Sequence, residues 1–264
     1  MSLQSYEIVC NYIYINMQSL KLLIFDMTAN LFGENIFVHK SKQCSKKHCV
    51  SSKVRRTLFD YFNLDIFSTL PTVGKEQMPV LEPLDANTKL PNEMVAFDEA
   101  FTKNKTNCIV HFYTDDRRFL RAFRDPKKYL PFLKKCAAVI EPDLSQYANM
   151  PYALRQAHAW LNRAFAAWLQ KQGVRIIQNI TWSLKDSYEY SLAGRAKNTI
   201  VAVNCTGVLK HDISKYLWRE GYKNVVLALE PTQILRYGDR MSGENTDISV
   251  YYDNPNIKRF RNGG

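Results

Sequence analysis

VIEPDLSQYANMP, Val139 to Pro151, starts as an apolar run and finishes at the opening of a helix. Between those ends it places Glu141, Asp143, Ser145 and Tyr147. A passive linker has no need of so many polar side chains, so the connection is read as part of a site as well as a turn. Its flanks decide the fold. Upstream, AAVI is apolar at every position, as in a strand covered on both faces. Downstream, Asn149 suits a cap region and Pro151 a first helical turn. Leu154, Ala157, Leu161, Ala164, Phe165 and Trp168 then recur at helical spacing until Gly173.

The same alternation continues on both sides. NCIVHFY (107–113), VRIIQNI (174–180), TIVAVNC (199–205) and TQILRYG (232–238) read as strands. Helical stretches begin at Arg117, at DSYEYSLA before Gly194, and at ISKYLWRE with Gly221. NVVLALE (224–230) suits either a strand or a helix packed before Pro231. The pattern predicts an α/β fold with a mostly parallel sheet of five to six strands, open or partly closed into a TIM-like barrel, with a basic irregular N-terminal region. Right-handed crossovers carry every strand-to-helix connection to one edge, where such folds bind ligands. That edge collects Asp115 and Asp116, then Asp143, Ser145 and Tyr147, then Asn179, Trp182 and Ser183. Asn204 and Thr206 follow, and last Tyr237 with Asp239.

Four segments are expected. Residues 1–26 form an N-terminal extension, either a short extra element or a piece the fold does not use. Residues 27–106 are a basic, proline-punctuated region packing on the main domain. The α/β core spans 107–240, and 241–264 is a tail expected to be partly disordered.

The 264 residues suffice for a sizeable core, and 46% hydrophobic content excludes wholesale disorder. A formal charge of +11 suggests a polyanionic partner, nucleic acid or an anionic surface. The six cysteines are scattered and need form no disulfide framework. No apolar run reaches the length of a membrane span and no cleavable leader is read, so the expected location is cytoplasmic. No cofactor is expected. His39, Cys44, His48 and Cys49 offer zinc-type ligands, but the C-x4-C spacing is loose and Lys46-Lys47 would repel a cation. An ordinary basic loop, with no metal, is the expectation.

Asp115 and Asp116 could supply a nucleophile or general base, or cap the helix that follows. Asp143 lies too far from Pro151 to cap that helix directly, which leaves a catalytic role or a turn-forming one. Ser145 and Tyr147 belong to the same connection. Trp182, Ser183 and Asn179 could wall a flat ligand, or Trp182 could plug the core. Arg155, His158 and Asn162 share a helix face that would ordinarily be solvated or interhelical. Asn204 and Thr206 precede a helix whose free N–H groups could hold an anion. For phosphate contacts the candidates are Arg117, Arg118, Arg121, Arg124, Lys127 and Lys128, interleaved with aromatics, together with Lys53, Arg55 and Arg56.

HFYTDDRRF, KKYLPFLKKCAAVIEPDLSQYANMP, RQAHAWLNRAFAAWLQKQGVRIIQNITWS and ILRYG, in that order, resemble a bacterial, archaeal and phage family known as domain of unknown function number 4417. The resemblance runs from about His111 to Gly238. It implies a context of phages and other mobile elements, and it supports a helix at NVVLALE. A looser similarity of layout links the strand-end aspartates to tRNA-guanine transglycosylases, although IIQN stands where those enzymes carry VVQG.

Three functional readings follow. The first is a mobile-element protein associated with nucleic acid, with a polar ligand site at the strand ends. The second is an enzyme acting on a base or small molecule through a rim aspartate. The third is a non-catalytic module that binds another protein.

Overall fold

The strand runs pair strictly in chain order. The computed structural model describes residues 64–254 apart from 86, 209 and 210. A short antiparallel hairpin, β1 (Thr72–Val73) with β2 (Met78–Pro79), comes first. Then β3 (Met94–Ala96), β4 (Ile109–His111), β5 (Ala138–Ile140), β6 (Ile176–Asn179), β7 (Ile200–Asn204), β8 (Gln233–Tyr237) and β9 (Ser249–Tyr252) form one seven-stranded, all-parallel sheet. A sheet built in sequence order has no point at which the winding reverses. Crossovers of one hand then stack the helices on one face, and the other face is covered by curling the sheet on itself. The result is a curled half-barrel, so the partly closed alternative is the one adopted.

The strand count corrects the expected five to six. β3 lies inside the proline-punctuated region and β9 inside the expected tail. β3 is three residues long and β9 has one buried residue, Tyr252, so neither carries an alternating pattern strong enough to read alone. Each becomes a strand by pairing at an edge of the sheet.

Side-chain parity explains the two faces. Val110, Val139, Ile176, Val201, Val203 and Ile234 point to the helices. Ile109, Ala138, Ile140, Ile177, Ile200, Ala202 and Leu235 point into the half-barrel and pack on one another. Leu84 and Leu90 reach this inner cluster from the proline-rich segment. That segment is strapped on by Leu84, whose N–H and C=O both bond Thr199 Oγ1 at 3.0 Å. It also passes Gly194, which is held at φ +71° and where a β-carbon would come within 2.7 Å of the Pro79 carbonyl oxygen.

The helices are α1 (Phe97–Thr102), α2 (Asp116–Arg124), α3 (Pro126–Leu133), α4 (Tyr152–Lys171), α5 (Tyr188–Leu192) and α6 (Asp212–Leu229). α4 is rich in alanine, leucine and other good helix formers and ends before Gly173, at φ +86°. NVVLALE proves helical, as the last two turns of α6, with Val225 and Leu229 buried against the sheet. Met1 to Asp26, His39, Cys44, His48, Cys49, Lys53, Arg55, Arg56 and the C-terminal RFRNGG lie outside the described residues. Among the described residues no helix is long and apolar enough to cross a membrane, and no group of three or more His, Cys, Asp or Glu side chains is placed to hold a metal.

Candidate functional site

At the C-terminal ends of the strands the inner layer changes from aliphatic to polar. Above Ile109 stand His111 and Tyr113, above Ile177 stands Asn179, above Ala202 stands Asn204, and above Leu235 stands Tyr237. Over this layer opens a cavity of about 660 Å³, within the size range of ligand sites. The connections after β4, β5, β6 and β7 all line it, and the first turns of α6 close one side with Ser214, Leu217 and Trp218.

Asp143 forms part of its wall and is half-buried. Asn179 Nδ2 and Thr181 Oγ1 donate to Asp143 Oδ1 at 3.0 and 2.8 Å, while Asn204 Nδ2 donates to Oδ2 at 3.3 Å. Both amides are themselves oriented. Tyr113 Oη donates to Asn179 Oδ1 at 3.0 Å, and the Thr206 backbone N–H donates to Asn204 Oδ1 at 2.8 Å. Burial raises the Asp143 pKa above its ordinary value despite these three donors, with the Asp116 charge adding to the rise. Oδ1 has both lone pairs engaged; Oδ2 accepts one long bond and keeps capacity for another donor.

The 144–150 connection is held from α4. Asn162 Oδ1 accepts from Leu144 N–H at 3.0 Å, His158 Nδ1 donates to the Ser145 carbonyl at 2.7 Å, and Arg155 Nε donates to the Met150 carbonyl at 3.2 Å. Arg155 also forks onto Asp186, at 2.9 Å to each oxygen. The face expected to be solvated or interhelical is therefore a clamp on the loop, and it satisfies backbone groups that no strand or helix can reach.

Asp115 and Asp116 both line the cavity but do different things. Asp115 caps α2 by accepting from the Arg117 N–H at 3.0 Å, and the Arg117 guanidinium holds its pKa at about 2. Asp116 ties two connections together, accepting from Ser145 N–H at 3.2 Å and Ser145 Oγ at 3.1 Å. Tyr147 stands exposed at the rim, its hydroxyl 3.3 Å from Ser145 Oγ.

Trp182 lines the cavity and also packs on α6. Its Nε1–H donates to the Leu217 carbonyl at 3.2 Å, and its ring lies over Gly221. Ser183 is buried, and among the described residues its Oγ has no hydrogen-bond partner. Tyr237, in register with Asn204, has its ring centroid 4.5 Å from that of His111 and 5.0 Å from that of Tyr113. Burial brings His111 to a pKa of about 3, so this imidazole is neutral, and its Nδ1 accepts from Tyr113 N–H at 3.1 Å. The connection after β8 does not line the cavity. It is held beside Cys205, whose Sγ donates to the Asp239 carbonyl at 2.9 Å.

Behind the wall, Glu141 is buried between Arg163, at 3.2 Å, and Arg195. Its second oxygen accepts from Asn179 N–H at 3.1 Å and so completes the end of β6. Of the basic candidates, Arg117, Arg118 and Arg124 pair with Asp115, Asp98 and Asp125. Arg121 lies over the rings of Phe97, Phe101 and Tyr129 at 5.6 to 5.9 Å. Lys127 and Lys128 are exposed on α3.

A family model described as Domain of unknown function (DUF4417) matches residues 71–255. The chain belongs to the DUF4417 family. The match runs from the β1–β2 hairpin to the end of β9, so both edge strands are part of the DUF4417 domain. Among curated proteins the DUF4417 chain is similar to the Gene 1 protein of Mycobacterium phage L5, 25% identical over 200 residues, covering 75% of this chain and 85% of the phage protein. The Gene 1 protein of Mycobacterium phage D29 is 25% identical over 183 residues, covering 68% of this chain and 66% of the phage protein. No solved structure matches it significantly.

Sequence reasoning passed over Thr181, Gln146 and Trp218, all of which line the DUF4417 cavity. Thr181 and Gln146 stand beside residues that were singled out, so a reading of whole connections would have found them. Trp218 gave no such signal, because a helical tryptophan on an apolar face reads as core.

Proposed function

We propose that this phage-type DUF4417 protein associates with nucleic acid and receives a base or base-like ligand at the mouth of its half-barrel. The observation that carries this reading is a separation of charge. The chain as a whole has a formal charge of +11. Among the described residues, those lining the cavity include Asp115, Asp116 and Asp143 and no lysine, arginine or histidine. A cationic exterior, with Lys127 and Lys128 among its exposed groups, attracts phosphates. A mouth lined by carboxylates repels them and suits an uncharged ring. Similarity to two phage proteins supports the setting.

Retention on immobilised single- and double-stranded nucleic acid tests this. Phosphate contacts release counterions, so binding should fall by orders of magnitude between roughly 50 and 200 mM salt. Absent or salt-independent retention would refute the reading.

A second reading is favoured by one observation, the pKa of Asp143 raised by burial at a strand end. Such a carboxylate suits a general base or nucleophile, in a layout like that of the transglycosylases. Asp143→Asn would then abolish turnover of a base-containing substrate while the fold persists. Full activity in that variant would remove Asp143 from the chemistry.

A further inference from the structure

We infer that the cavity recognises its ligand through N–H donors on a ring edge, which makes an amino-bearing nucleobase the class it takes, with phosphate kept outside. The inference rests on the base-binding reading above and narrows it. Its ground is the set of wall groups with unused hydrogen-bonding capacity. Asp143 Oδ2 accepts a single bond at 3.3 Å. Gln146 Oε1 is buried and has no partner among the described residues. Ser183 is 7% exposed and lines the cavity, and among the described residues its Oγ has no partner either.

A buried polar atom without a partner is costly, and such atoms in native proteins call for an explanation. Here two of them belong to residues, on different connections, that line the same cavity as a carboxylate with a free lone pair. All three accept hydrogen bonds, and the carboxylate cannot donate when ionised. The other carboxylates are engaged within the chain: Asp115 by Arg117, and Asp116 by Ser145. With no cation among the described residues of the wall, a phosphate would meet repulsion, whereas a ring edge carrying an exocyclic amine would meet acceptors. A carboxylate accepting from such an amine is a recognised mode of base selection.

The test titrates the full chain with guanosine, adenosine, cytidine, uridine and thymidine, and separately with inorganic phosphate and putrescine, read by calorimetry. The amino-bearing nucleosides should bind about tenfold more tightly than uridine and thymidine, as for one well-formed base contact. Phosphate should not compete. Ser183→Ala removes no hydrogen bond of the folded chain, so it should leave the melting temperature in place and weaken guanosine, adenosine or cytidine about fivefold. Equal binding of all five nucleosides, competition by phosphate, or an unchanged affinity in Ser183→Ala each overturns the inference. Putrescine binding as tightly as the best nucleoside overturns the choice of a ring edge over an aliphatic amine. Salt-sensitive retention on nucleic acid without nucleoside discrimination sinks this inference alone; loss of both sinks the base-binding reading as well.

Discussion

A β-carbon on Gly221 would stand 2.0 Å from the indole nitrogen of Trp182. The glycine in the middle of α6 is there so that the tryptophan of the β6 connection can lie flat on the helix, beside Trp218 at 6.0 Å between ring centroids. Gly221→Ala should raise helix propensity by about 1 kcal/mol. Overpacking against a ring already fixed by its bond to Leu217 should outweigh that, for a net loss of about 1–2 kcal/mol. Denaturant unfolding of the variant, alone and combined with Trp182→Ala, measures it. The alanine should cost nothing, or gain, once the ring is gone; a penalty that survives in the double variant would place the strain elsewhere.

The Glu141 cluster behind the cavity wall makes a second prediction. Glu141 and Arg163 are 1% and 0% exposed, and Arg195 shares the same carboxylate. Glu141→Gln keeps the shape but leaves two guanidinium groups facing one neutral amide. Removing one partner from a buried ionic cluster costs about 3–5 kcal/mol, because the remaining charge stays desolvated. Carbonyl oxygens of Ser191 and Ala193 already accept from Arg163, which places the loss toward the lower end. A drop under about 1 kcal/mol in urea unfolding would mean that the cluster is wetter than its burial indicates.

That the strand-end residues gather at one edge of the sheet was legible in the sequence, and what each of them contacts there mostly was not. Apolar strand runs end in Asp143, Asn179 and Asn204, and parallel pairing in chain order brings those ends together whatever the helices do. The distribution of roles depends on finer geometry. Asp115 and Asp116 are adjacent in the chain, yet one caps α2 and the other binds the next connection, a difference set by one residue of helix phase. Tyr237 ends a strand like the others but does not line the cavity, its ring lying against His111. β3 and β9 escaped notice because an edge strand of three or four residues is defined by its neighbour rather than by its own pattern. Arg155, His158 and Asn162 read as a solvated or interhelical face because nothing local announces that a loop folds back over them.

Glu230 ends α6 in the left-handed conformation, at φ +46° and ψ +53°. A side chain there costs roughly 1 kcal/mol relative to glycine, and most helices that end this way use glycine. The residue is exposed. Glu230→Gly should therefore stabilise the chain by about 0.5 kcal/mol, part of the gain being lost to the greater entropy of glycine when unfolded. Thermal melting checks it, and a lower melting temperature would show that Glu230 has a role its backbone conformation does not reveal.

The raised pKa of Asp143 sets the pH dependence of a fourth substitution, and its sign runs opposite to that of a salt-bridged carboxylate. Burial makes the folded chain hold this proton more readily than the unfolded chain does. The protonated group's contribution to stability is full below the unfolded value, about 3.9, and is lost as pH rises through the higher folded value. Asp143→Asn is neutral throughout. It also gives up one acceptor, because its amide nitrogen must face Asn204 Nδ2 or a donor on the other side, a cost of about 1 kcal/mol that does not vary with pH. The variant should therefore compare best with the parent above the folded pKa and progressively worse as pH falls through it toward the unfolded value. Urea unfolding of both chains at pH 7.5 and pH 4 gives the difference directly. A stability difference that stays constant across that range, or that favours the variant more at the acidic end, would show that the Asp143 carboxylate is not the desolvated group on which the site has been built.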